Sequence, residues 1–135
     1  MFRLLIIPAL FLISEISFGQ TGLETQAEKL AQEQLDAYNK RDVEAFVAPY
    51  ADDVKVFNFP DQLLYEGKKA MQEMYGRMFV RTPDLHCRLV NRIVMGDTVI
   101  DQEEVTISPK DPPVKAIAIY KISGGKIAEV YFIQD

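Results

Sequence analysis

The sequence predicts an α+β fold in which helices come first and an antiparallel sheet follows. Three observations carry this: apolar residues recur at helical spacing early in the chain, they alternate in its second half, and short glycine-containing turns join the alternating stretches. A parallel α/β fold would interleave helices and strands throughout.

Residues 1–19 read as an export signal. Met1-Phe2-Arg3 is a short positive start, Leu4 to Ile13 is a continuous apolar run, and Ser17-Phe18-Gly19 is a small-residue exit, so cleavage is expected after Gly19. The run falls short of the roughly 20 residues that cross a bilayer, and no second one follows. A secreted or periplasmic protein with no membrane segment after cleavage is therefore expected. No cysteine follows the run to carry a lipid anchor.

The remainder, 20–135, fits one domain and is too short for two. Cleavage removes Arg3 and Glu15, one charge of each sign, so the net charge of −5 at pH 7 persists. An acidic chain is a poor match for phosphate backbones, and no nucleic-acid partner is expected. Cys87 is the single cysteine, so no intrachain disulfide can form, and a small buried hydrophobe is its expected role.

Thr21 and Thr25 each precede a glutamate by three residues, Glu24 and Glu28, and are overlapping capping-box candidates for the first helix. Leu23, Ala27, Leu30, Ala31, Leu35 and Tyr38 give that helix an apolar stripe, with Gln34 on the same side as a polar group aimed inward. Asn39-Lys40-Arg41-Asp42 breaks the pattern. Asp42 is the expected N-cap of a short second helix carrying Val43, Phe46, Val47 and Tyr50 and ending near Pro49. Val54 to Phe59 alternates as a strand and stops at Pro60-Asp61. Gly67 opens a third helix on the stripe Met71, Met74, Tyr75, Met78 and Phe79, which Thr82-Pro83-Asp84 ends. Four strands complete the chain: Leu85 to Met95, Thr98 to Ser108, Val114 to Ile122 and Lys126 to Gln134. Met95-Gly96-Asp97 and Ser123-Gly124-Gly125 are the hairpin turns.

The chemistry concentrates in Val99-Ile100-Asp101-Gln102-Glu103-Glu104-Val105. Alternation puts Asp101 and Glu103 on one face with Val99 and Val105, and an ionised carboxylate buried there costs several kcal/mol or more unless it is paired or put to use. Burial raises a carboxyl pKa toward the range where proton transfer at neutral pH is efficient. The competing reading pairs these acids with Arg88 or Arg92 on the neighbouring strand. With His86, the single histidine, they have the ligand types of a facial triad, but no HxH or HxxE spacing supports one, and neither a metal nor any other cofactor is expected.

The order of elements, together with Ala37 to Phe46, Tyr50 to Val54, Glu66-Gly67 and Tyr120 to Ile127, resembles the nuclear transport factor 2-like superfamily, in particular its SnoaL-like and ketosteroid-isomerase-like bacterial members. The resemblance implies a curved sheet wrapped round the helices as a cone, with a largely apolar cavity at its open end and dimerisation through the outer sheet face. In the isomerase relatives a tyrosine and a protonated aspartic acid form an oxyanion hole while a second aspartate moves the proton. Gln34, Ala118 and Asn58 stand at those three positions here, so the resemblance does not carry that mechanism over.

It does imply that Glu103 faces the cavity, and periodicity adds Asp101. These two are the expected catalytic residues for cofactor-free acid–base chemistry of isomerase, dehydratase or hydrolase type on a small apolar or partly polar molecule. Gln34, Tyr38, Asn58, His86 and Tyr120 are the expected ligand-binding residues, and Phe57, Phe59, Tyr65 and Tyr75 the expected walls. Ile117, Ile119, Tyr131 and Ile133 form the expected homodimer face. A non-catalytic ligand-binding or accessory dimer protein is the alternative.

Overall fold

A computed structural model of the protein describes residues 18–135, with side chains from Gly22 onward. The expected signal segment lies outside the described residues as far as residue 17. Three helices and six strands follow in the order α1 (Phe18–Lys40), α2 (Val43–Val47), β1 (Tyr50–Asn58), β2 (Gln62–Glu66), α3 (Lys68–Arg81), β3 (His86–Met95), β4 (Thr98–Thr106), β5 (Val114–Ser123) and β6 (Lys126–Gln134).

Helix α1 is already running at Phe18, so Thr21 and Thr25 lie inside it and not at its start. An N-cap needs non-helical dihedrals, which an interior residue lacks. At the other end Asp42 N–H donates to the Ala37 carbonyl and Arg41 N–H to that of Tyr38, both at 3.0 Å, with Arg41 left-handed at φ 54°. This paired closure satisfies the last carbonyls of α1. Asp42 then caps α2 as expected, its carboxylate accepting from Ala45 N–H at 3.1 Å. Helix α2 stops at Val47 and Tyr50 belongs to β1 instead: Ala48 keeps helical dihedrals and donates its N–H to the Glu44 carbonyl, but Pro49 has no N–H to continue the ladder.

The six strands form one sheet in the order β2-β1-β6-β5-β4-β3. It is mixed, not antiparallel throughout: β1 pairs with β6 in parallel while every other pairing is antiparallel. Laying β1 along β6 covers an edge that the meander β3 to β6 would leave open. Strand β2 escapes the sequence pattern because four of its five residues are exposed, so no alternation marks it.

The helices cover one face of the curved sheet. Ala27 and Ala31 of α1, Phe46 of α2 and Met71 of α3 meet Val54, Val56, Val99, Ala118, Ile127 and Val130 in a single apolar core. Gly67 joins β2 to α3 at φ 99°, a value that side chains other than glycine rarely adopt, and its N–H donates to the Val54 carbonyl at 2.7 Å.

Candidate functional site

Between the helices and the sheet lies a cavity of about 290 Å³. Every described helix and five of the strands contribute to it: Tyr38 from α1, Phe46 from α2 and Tyr75 from α3 are aromatic, Val105 and Ala116 are aliphatic, and Glu103 is the only carboxyl side chain among the described residues that line it. No lysine, arginine or histidine is among the described residues that line it.

Glu103 is 7% exposed. Its carboxyl is pushed up to about 7, chiefly by burial and then by the negative charge of Asp101; hydrogen bonds from Cys87 and Tyr120 and the charge of Arg92 act the other way. Near neutral pH the group is thus divided between acid and conjugate base, the condition in which one residue can both take and return a proton. Burial pushes the Cys87 thiol up, and Glu103 adds to that, so Cys87 serves as a neutral donor to the carboxyl, not as a nucleophile.

A chain of hydrogen bonds leads to Glu103 from behind. Tyr50 Oη donates to Gln34 Oε1 at 3.2 Å, Gln34 Nε2 donates to the Ala31 carbonyl and to Tyr120 Oη at 3.0 Å each, and Tyr120 Oη donates to Glu103 Oε1 at 3.5 Å. Gln34 and Tyr120 do line the cavity, but the Gln34 amide is bonded at both ends to protein, so it supports Glu103 instead of being a free donor for a ligand. Tyr38 lines the cavity too, packed edge-on against Phe79 with ring centroids 5.6 Å apart. Burial raises its phenol, which stays a neutral hydroxyl.

Asp101 has the other fate that the sequence left open. It is fully buried and bonded bidentately by Arg92, with Nε to Oδ1 at 2.7 Å and Nη2 to Oδ2 at 2.8 Å, and it does not line the cavity. Arg92 Nη1 also donates to Gln32 Oε1 at 2.8 Å, which ties the pair to α1. The cause is a bulge in β3: Leu89 faces Glu103 and Asn91 faces Gln102, leaving Val90 unmatched. The extra residue shifts the alternation, so that Cys87 and Leu89 before it and Arg92 and Val94 after it all face the helices. The expected catalytic Asp101 is thereby spent on an ion pair.

Three further expectations are corrected. Asn58 sits beyond the cavity on β1, its amide donating to Gln62 Oε1 at 3.4 Å. His86 alternates with inward-facing Cys87 and is exposed on the opposite face, away from both Asp101 and Glu103. Among the described residues no three of His, Cys, Asp and Glu gather in a metal-binding group. Of the expected aromatic walls only Tyr75 lines the cavity: Phe57 stacks on Tyr131 on the outer face with centroids 4.8 Å apart, Phe59 is 54% exposed, and Tyr65 packs against the core.

Sequence reasoning missed Asn39, whose side-chain amide mimics a strand partner for Cys87. Nδ2 donates to the Cys87 carbonyl at 2.9 Å and Oδ1 accepts from the Cys87 N–H at 2.7 Å, pinning the start of β3 to the end of α1. Nothing in the local pattern marks Asn39, which reads as a helix-end residue; Cys87 could have been placed by its register opposite Val105.

The SnoaL-like domain model matches residues 31–130. Among solved structures, an uncharacterized cystatin-fold protein from Novosphingobium aromaticivorans is 28% identical with a TM-score of 0.73, over 79% of this chain and 97% of that one. A protein assigned as a SnoaL-like polyketide cyclase from Jannaschia sp. CCS1 is 19% identical with a TM-score of 0.69, over 84% and 88%. An LEH-like epoxide hydrolase from M. tuberculosis is 16% identical with a TM-score of 0.68, over 83% and 84%, and both of these more distant likenesses speak to the fold alone. No curated protein matches the chain. The helices and the curved, unclosed six-stranded sheet have the nuclear transport factor 2-like arrangement of these neighbours, whose members include isomerases, epoxide hydrolases and cyclases, and the chain belongs to the SnoaL-like domain family.

Proposed function

We propose that the protein binds a small, largely apolar molecule in this cavity and that Glu103 exchanges a proton with it, in cofactor-free acid–base chemistry of isomerase, dehydratase or hydrolase type. One observation carries the reading: a buried carboxyl held near pH 7 faces an apolar cavity in which the described residues offer it no cationic partner. As carboxylate it takes a proton from the ligand while the Tyr120 hydroxyl and Cys87 thiol stabilise it. As acid it returns that proton to a neighbouring atom. The Asp101 carboxylate close behind the site favours the protonated form, and its partner Arg92 acts the other way.

The working form in this reading is a secreted or periplasmic homodimer. Its interface is the outer sheet face, where Ile117 lies opposite Ile133 and Ile119 opposite Tyr131.

A panel of ring ketones, epoxides and hydroxylated ring compounds, assayed for binding and for turnover with the wild type and Glu103→Gln, tests the site. The expected result is a substrate that still binds the variant but turns over about 10²- to 10⁴-fold more slowly. Binding without turnover by the wild type would favour the non-catalytic ligand-binding reading. Binding and turnover both indifferent to Glu103→Gln would overturn the site.

A further inference from the structure

We propose that Gln34 is a positioning residue that fixes the direction of the hydrogen-bond chain behind Glu103, forcing Tyr120 to donate into Glu103 Oε1. The inference rests on the reading of Glu103 as the proton-exchanging group of the cavity.

The direction follows from the one partner in the chain that has no choice. The Ala31 carbonyl can only accept, so the nitrogen of the Gln34 amide must lie on its side, at 3.0 Å. That choice turns Oε1 toward Tyr50, which must therefore donate, at 3.2 Å. It also sends the second amide hydrogen to Tyr120 Oη at 3.0 Å. With that lone pair occupied, the Tyr120 proton is free to point the other way, to Glu103 Oε1. The last link is the loosest, at 3.5 Å, and ionisation of Glu103 strengthens it because an anion is the better acceptor. Gln34 is 4% exposed, and both its amide hydrogens and its oxygen are engaged by protein groups.

The direction decides which protonation state the chain supports. Donors aimed at Glu103 favour its carboxylate and oppose the effect of burial. A chain running the other way, with Tyr120 donating to residue 34, would leave Oε1 without that donor and hold Glu103 protonated to higher pH. The other groups acting on Glu103 are Cys87 and Arg92 on β3, Asp101 on β4, Tyr38 on α1, Tyr50 on β1 and Tyr75 on α3; Tyr38, Tyr50 and Tyr75 are all phenols that burial keeps neutral.

The test is a carbon-13 NMR pH titration of the Glu103 side chain in the ligand-free protein, comparing wild type, Tyr120→Phe, Tyr50→Phe and Gln34→Glu. In the inferred direction Tyr120→Phe removes a donor and moves the Glu103 midpoint up by about one pH unit. Tyr50→Phe removes a proton aimed away from Glu103 and leaves the midpoint in place. Gln34→Glu draws the Tyr120 proton to itself and moves the midpoint up at least as far as Tyr120→Phe does. Should that variant fail to fold, the two tyrosine variants decide the direction. An unmoved midpoint in Tyr120→Phe, or an equal rise in Tyr50→Phe, overturns the inference. A wild-type midpoint in the ordinary carboxylate range overturns the reading of Glu103 itself, so the two failures are distinguishable.

Discussion

Two carboxylates on one face of β4, two residues apart, meet opposite fates because of what stands beside each. Asp101 has both oxygens held by Arg92, whereas Glu103 opens on the cavity with only a phenol and a thiol as donors. This difference has a thermodynamic consequence. The Glu103 carboxyl in the folded protein lies at about 7 against an ordinary 4.5, so the unfolded chain gives up this proton first as pH rises. The stabilisation from holding that proton is fully present below about pH 4.5 and is lost as pH passes 7, a change of about 3 kcal/mol. Glu103→Gln carries no ionisable group at this position. Its stability relative to wild type is expected to improve by about 3 kcal/mol between pH 4 and pH 8, read from urea unfolding at each pH.

At the scale of elements, helix α1 is held to the sheet by Gln32 on Arg92, by Asn39 on Cys87 and by the apolar stripe between them. Removing one partner of a buried ion pair strands the other, so Arg92→Met is expected to cost about 3–5 kcal/mol in chemical denaturation. Arg92→Met combined with Asp101→Leu is expected to recover most of that loss, since no buried charge remains. Gly67→Ala, which forces a side chain into φ 99°, is expected to cost about 1–3 kcal/mol without altering the cavity.

The helical stripes, the Asp42 cap and the hairpin turns were legible in the sequence because each is a local pattern. The bulge at Val90 was not, and it decided which arginine met which carboxylate: unbroken alternation would have put Arg88 and Arg92 together on one face and Cys87 on the other, whereas the bulge turns Arg92 to the face of Cys87 and Asp101. Strand β2 and the parallel pairing of β1 with β6 were likewise hidden, since the first has no buried face and the second depends on residues some seventy positions apart. In the site, periodicity placed Glu103 and Asp101 on one apolar face and Gln34 on the helical stripe, and the resemblance turned Glu103 to the cavity, while Asn58 and His86 failed because distance along a strand and choice of face are set by the whole sheet.

For the molecule as a whole, the outer sheet face is where assembly is to be tested. Ile133 is 41% exposed and Ile117 lies opposite it, so the wild type is expected to sediment as a dimer and Ile133→Glu, with folding intact, as a monomer at the same concentration in sedimentation velocity. The inner face carries the central claim, that the fold holds one carboxyl poised for proton exchange inside a ligand cavity. Its most direct test is the pH titration of the Glu103 carboxyl by carbon-13 NMR in the ligand-free wild-type protein. A midpoint near 7 is expected, and a midpoint near 4.5 would contradict the claim.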